Sequence, residues 1–156
     1  MQLLLFEQNP QEMDCNKVNI MLSLHDKYFK KMLAGTKKYE YRFNFPKGEV
    51  RAYIYIPKPV KAVKGYVDLE RSIEGTAEEI SSIYANCGDG SYESMFNYIG
   101  NNKIIYAMRI KQVIAFEKPI LYSTLKSAFP DFCAPQSYII LDKNPALLSY
   151  IKETAL

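Results

Sequence analysis

The chain is 156 residues long, the length of one compact domain able to bury a core without disulfide or metal staples. Apolar residues at 48% and charged residues at 24% exclude a mainly disordered chain. The net charge is only +3, but residues 27–64 hold eleven Lys or Arg against Glu40 and Glu49, and residues 65–102 hold Arg71 against seven acids.

Met1 to Phe6 is apolar but has no basic flank and gives way to polar residues at Glu7, so a short strand is expected there rather than a signal peptide or membrane span. Glu7 to Lys17 has no period and reads as a loop. Val18 to Leu24 is a short apolar strand. From Asp26 the period becomes helical, with Tyr28, Phe29, Met32 and Leu33 on one face, Asp26 as cap and Gly35 as a left-handed stop. Lys38 to Phe43 then alternates, with Tyr39, Tyr41 and Phe43 opposite Lys38, Glu40 and Arg42, which predicts a strand buried on its aromatic side. A turn at Pro46 to Gly48 leads to a strand at Arg51 to Ile56. Beyond the Pro57 to Pro59 break, Ala62 to Leu69 is a further strand with Gly65 as a bulge.

In the acidic block, Thr76 followed by Glu79 has the form of a capping box, with Ile80, Ile83 and Tyr84 as the apolar stripe of a helix. A glycine-rich loop from Cys87 to Ser91, readable as a lid or a plain connection, precedes a second helix with Tyr92, Met95, Phe96 and Ile99 inward. Lys103 to Phe116 is long and β-prone, Leu121 to Phe129 is a helical turn, and Ser137 to Leu141 is a last strand. Asn144 and Pro145 open a C-terminal helix. This inventory suits a small curled sheet or barrel with helices at its edges, an α+β fold within a single domain spanning residues 1–156.

The basic block is the footprint expected of a phosphate-binding surface, and equally that of a solvated lysine-rich face. The single histidine, His25, excludes multi-histidine metal sites and reads as a surface or capping group. Cys15, Cys87 and Cys133 are odd in number and form no CxxC pair, as expected of reduced thiols in a cytoplasmic protein. The seven glycines give neither GxGxxG nor GxxxxGK[ST], so no nucleotide cofactor is expected. The 13 tyrosines could stack bases, but most fall on core faces. The most specific local feature runs from Gly35 to Arg42 across a helix stop and the strand after it. There Lys37, Glu40 and Arg42 could converge on one concave surface, gripping a phosphate and reading a base edge, or Glu40 and Arg42 could form an exposed pair of little worth.

Gly35-x-Lys37-x-x-Glu40-x-Arg42, together with Met21-Leu22-Ser23-Leu24, Tyr53-Ile54-Tyr55, Gly65-Tyr66-Val67 and Pro135-Gln136-Ser137-Tyr138, resembles the ASCH domain. The resemblance covers Asn19 to Leu141 and implies a small PUA-like β-barrel with flanking helices and a cleft between barrel and helix. It implies binding of RNA or a nucleotide-like small molecule, with Lys37, Glu40 and Arg42 lining the cleft and Ser23 and Gln136 at its rim. Neither metal nor membrane is implied, and such a protein could serve as a regulator of transcription or translation.

One branch of the family hydrolyses the amide of cytidine acetylated on its exocyclic amine. This chain matches that branch at Lys37 but carries Glu40 in place of its threonine, and Asp89 or Glu93 is the nearest counterpart of its further acid. Glutamate is not a direct substitute for a hydroxyl nucleophile, so no catalytic residue is assigned. Amidohydrolysis of an acylated cytidine through Lys37 and Glu40 is the alternative function, and a protein-interaction module is the third. Oligomeric state is not set by these features.

Overall fold

The computed structural model describes residues 17–101 and 104–155. The strand expected at Met1 to Phe6 and nearly all of the loop after it lie outside the described residues. Among the described residues, seven strands and five α-helices follow one another: β1 (Val18–Ser23), α1 (Asp26–Ala34), β2 (Tyr39–Arg42), β3 (Val50–Ile56), β4 (Ala62–Leu69), β5 (Ile73–Gly75), α2 (Ala77–Asn86), α3 (Tyr92–Ile99), β6 (Ile105–Leu121), α4 (Tyr122–Ala128), β7 (Tyr138–Ile140) and α5 (Pro145–Thr154).

The strands form one sheet in the order β2-β6-β4-β3-β1-β7, with β5 on β6 beside this path. β1 runs parallel to β3, and every other pairing is antiparallel. The 17-residue β6 curls the sheet, because its first residues pair with β2 and β5 and its later ones with β4. Register shifts at Gly65 in both of its pairings sharpen the curl. A Cβ on Gly65 would lie 2.1 Å from the Ile114 carbonyl oxygen, so the close approach of β4 to β6 requires glycine. The result is a half-barrel, open between its edge strands β2 and β7.

Alternation along the strands sorts side chains into separate cores. Ala52, Ile54 and Ile56 point inward with Ile20, Leu22 and Val67, and Phe29 and Met32 of α1 cap that interior. Tyr53 and Tyr55 point outward and pack with Met21 against Leu125 of α4 and Leu147 and Ile151 of α5. A third cluster joins Tyr41 of β2 and Ala107 of β6 to Ile80 of α2 and Met95 and Ile99 of α3.

Helix ends follow local chemistry. Thr76 and Glu79 form the capping box, Asn144 accepts from the Leu147 N–H ahead of Pro145, and Gly35 ends α1 at φ 76°. Three expectations are corrected. His25, not Asp26, is the N-cap of α1; Asp26 is the first helical residue and pairs with Lys30 and Lys64. Tyr92 and Phe96 do not face inward on α3 but stack on each other at the surface, because α2 covers only the Met95 and Ile99 side. β2 is buried on both faces rather than one, with Glu40 only 6% exposed. Among the described residues no helix is long and apolar enough to cross a membrane.

Candidate functional site

The half-barrel's open seam forms a cleft of about 1180 Å³, bordered by the start of α1, by β2 and the residues after it, by α3, and by the loop leading to β7. Arg42 spans the seam: its Nη2 donates to the Ser23 carbonyl oxygen at 3.1 Å, and its Nε to Glu40 Oε1 at 3.3 Å. One guanidinium thus ties β2 to β1 and fixes the carboxylate beside it. The Ser23 hydroxyl donates onward to the Pro135 carbonyl, fastening the β7 loop to the same edge.

Lys37 is delivered to the cleft by the helix stop. At Gly35 the chain turns back so that the N–H groups of Thr36 and Lys37 both bond the Lys31 carbonyl. The Lys37 ammonium lies over the rings of Tyr28, at 5.6 Å from the centroid, and Tyr41, at 5.3 Å. It has no carboxylate partner among the described residues. Glu40 Oε1 accepts from Arg42 and from the Tyr41 N–H, while its Oε2 is buried with no donor among the described residues. A carboxylate so placed is under-satisfied within the protein, and a donor brought to it would be bound strongly.

Tyr41 is locked from behind. Its hydroxyl donates to Asp89 Oδ2 at 2.8 Å, and Asp89 Oδ1 accepts from the Lys38 N–H at 3.0 Å. Burial, then the bond to Asp89, pushes the Tyr41 phenol far above its usual range, so it remains a donor. Burial also pushes the neighbouring Cys87 thiol up. The Cys87 to Ser91 loop therefore acts here as a buttress for β2 through Asp89. Asp89, one of the two acids matched to the hydrolase branch, has both oxygens engaged behind the cleft; the other, Glu93, is exposed on α3, and neither lines the cleft.

Lys37, Glu40, Arg42, Ser23 and Gln136 all line the same cleft, and so does His25, whose ring is near that of Tyr28. The basic block does not gather there as a whole. Of its eleven cations, Lys37, Arg42, Lys58 and Lys61 line the cleft, whereas Lys30, Lys64 and Arg51 are paired with Asp26 or Asp68 elsewhere. Lys58 and Lys61 were not singled out from sequence; their signal was the Pro57 to Pro59 break within the basic block, which sets Lys61 Nζ 4.4 Å over the Tyr122 ring. Phe43 and Tyr98 were also missed as cleft residues. In sum, four cations and seven aromatic rings (Tyr28, Tyr41, Phe43, Tyr55, Tyr84, Tyr98 and Tyr122) face one carboxylate, Glu40.

Residues 22–120 match the family model of the ASCH domain. The chain is 30% identical over 130 residues to a Zymomonas mobilis protein called ASCH domain-containing ribonuclease, covering 80% of this chain and 84% of that one. The chain belongs to the ASCH domain family. Crystal structures of ASCH from Zymomonas mobilis superpose with a TM-score of 0.70: one at 25% identity covers 85% of this chain and 94% of that chain. A tyrosine-to-phenylalanine variant of that protein matches at 25% identity over 85% of this chain and 98% of its own. The fold is accordingly the α+β, PUA-like fold with flanking helices expected from the sequence resemblance, its sheet curled into a half-barrel.

Proposed function

We infer that this chain binds single-stranded RNA, with one unpaired nucleotide seated in the cleft. The observation that carries this reading is the lining itself, four cations and seven rings around a single carboxylate. Phosphate would meet Lys37, whose charge has no carboxylate partner among the described residues, and the base would lie among the tyrosines with its donors toward Glu40. A double helix does not suit such a site, since its bases are already stacked and paired. Binding of a labelled single-stranded RNA, followed by fluorescence anisotropy, should weaken steeply with added salt and be outcompeted poorly by duplex of the same sequence. Salt-independent binding, or equal affinity for duplex, would count against it.

Cleavage of the bound strand is a second reading, favoured by the ribonuclease name of the Zymomonas mobilis relative and by the presence of Lys37, His25 and Glu40 in one cleft. In that reaction a ribose 2′-oxygen attacks the adjacent phosphorus, its proton passes to a cleft base, and the P–O5′ bond breaks as a cleft acid gives a proton to O5′, leaving a cyclic phosphate and a 5′-hydroxyl. Gel analysis of the same RNA after incubation separates cleavage from binding. Less supports hydrolysis of an acylated cytidine, because Glu40 replaces the hydroxyl and Asp89 is engaged behind β2. Turnover of acetylated cytidine lost in both Lys37→Ala and Glu40→Ala would restore that alternative.

A further inference from the structure

The outer wall of the cleft carries two rings that packing does not explain. Phe43 follows β2 directly and Tyr98 sits in the last turn of α3, and their rings stack with centroids 5.5 Å apart and planes 23° from parallel. Both stay wet: Phe43 is 39% exposed and Tyr98 63%. The core role on α3 is filled by Met95 and Ile99 instead. Rings from two elements, stacked yet open on the cleft side, form a preorganised surface with little left to order on binding.

Their position relative to Lys37 gives that surface an occupant. Phe43 is two residues beyond Tyr41, at most roughly 7 Å along the chain, and Tyr41 is one of the two rings that carry the Lys37 ammonium. That separation is within reach of one nucleotide unit, and the cations lining the cleft favour a polyanion over an apolar peptide.

We propose that the Phe43–Tyr98 stack is a second base subsite, on which the base next to the nucleotide held at Lys37 stacks against the open face of Tyr98. The cleft then recognises at least two linked unpaired nucleotides. This rests on the RNA reading above and extends it. Stacking of this kind tolerates every base, so the subsite contributes affinity and strand selectivity rather than sequence preference.

The experiment compares a nucleoside monophosphate, a dinucleotide and a short single-stranded RNA on the full chain and on Tyr98→Ala, Phe43→Leu and Tyr98→Trp. The dinucleotide should bind the unaltered chain more tightly than the monophosphate, and in Tyr98→Ala this ratio should fall about 5- to 150-fold. The chain has no tryptophan, so Tyr98→Trp adds a lone reporter whose emission should be quenched by the dinucleotide and not by the monophosphate. Equal loss of both ligands in Tyr98→Ala, or no quenching by the dinucleotide, would overturn the subsite while leaving the RNA reading in place. Failure of the unaltered chain to bind any of the three would overturn both.

Discussion

Replacing Lys37 with methionine isolates one of the four positive charges that line the cleft. Methionine is nearly as long, stays between the Tyr28 and Tyr41 rings and keeps a favourable sulfur–aromatic contact. What is lost to the fold is the ammonium at 5.3 and 5.6 Å from those ring centroids, worth about 0.5–1 kcal/mol at a partly exposed site. Thermal stability should therefore change little. On the proposed reading, RNA binding should lose a charge-assisted contact of about 1.5–3 kcal/mol, equivalent to a Kd raised roughly 10- to 150-fold. The salt dependence gives an independent readout, because each phosphate contact to a single strand contributes about 0.7 to the slope of log affinity against log salt. Anisotropy titrations from about 50 to 200 mM salt should show both the weaker binding and a slope shallower by about that amount. An unchanged slope and affinity would refute the assignment of Lys37 to phosphate, and a large loss of stability would show that its role is packing.

Arg42→Lys should weaken RNA binding and lower the melting temperature by several degrees, since an ammonium cannot hold the Ser23 carbonyl and Glu40 Oε1 in one planar fork; retention of both would show that the seam does not depend on it. Asp68→Asn should destabilise by about 3–5 kcal/mol in urea titration, because it removes the charge that the buried Lys17 ammonium pairs with and weakens the two-bond contact to Arg51. Burial pushes the Asp68 carboxyl up, but the Arg51 bonds and the charges of Arg51 and Lys17 outweigh it and hold it below its ordinary value. Its contribution is thus fully present above the unfolded carboxylate value near 4 and disappears as pH falls through the lower folded value. The acid limb of the stability curve should accordingly flatten in Asp68→Asn. Gly65→Ala should cost about 3 kcal/mol or more, since its methyl would meet a backbone oxygen that cannot turn away; a near-neutral result would mean that β4 and β6 can separate.

Elements specified by short-range chemistry were legible in the sequence. The αL stop at Gly35, the Thr76–Glu79 box and the Asn144–Pro145 start depend on residues within one turn of each other, and each stands where the sequence put it. The Lys37, Glu40 and Arg42 spacing was legible for the same reason, because a helix stop and a strand pleat carry all three. Alternation likewise separated the Ala52–Ile54–Ile56 side of β3 from the Tyr53–Tyr55 side, but it could not say that both sides would be buried, one by α1 and the other by α4 and α5. On β2 the same limit reversed the meaning of the charged face: Lys38 is exposed, yet Glu40 is buried where the seam closes over it. Lys58, Lys61 and Tyr98 joined the cleft from segments far from Lys37 in the chain. Periodicity determines which side of an element a residue occupies. What covers that side is decided by long-range strand pairing, and only the curl of β6 around the half-barrel brings those segments to one cleft.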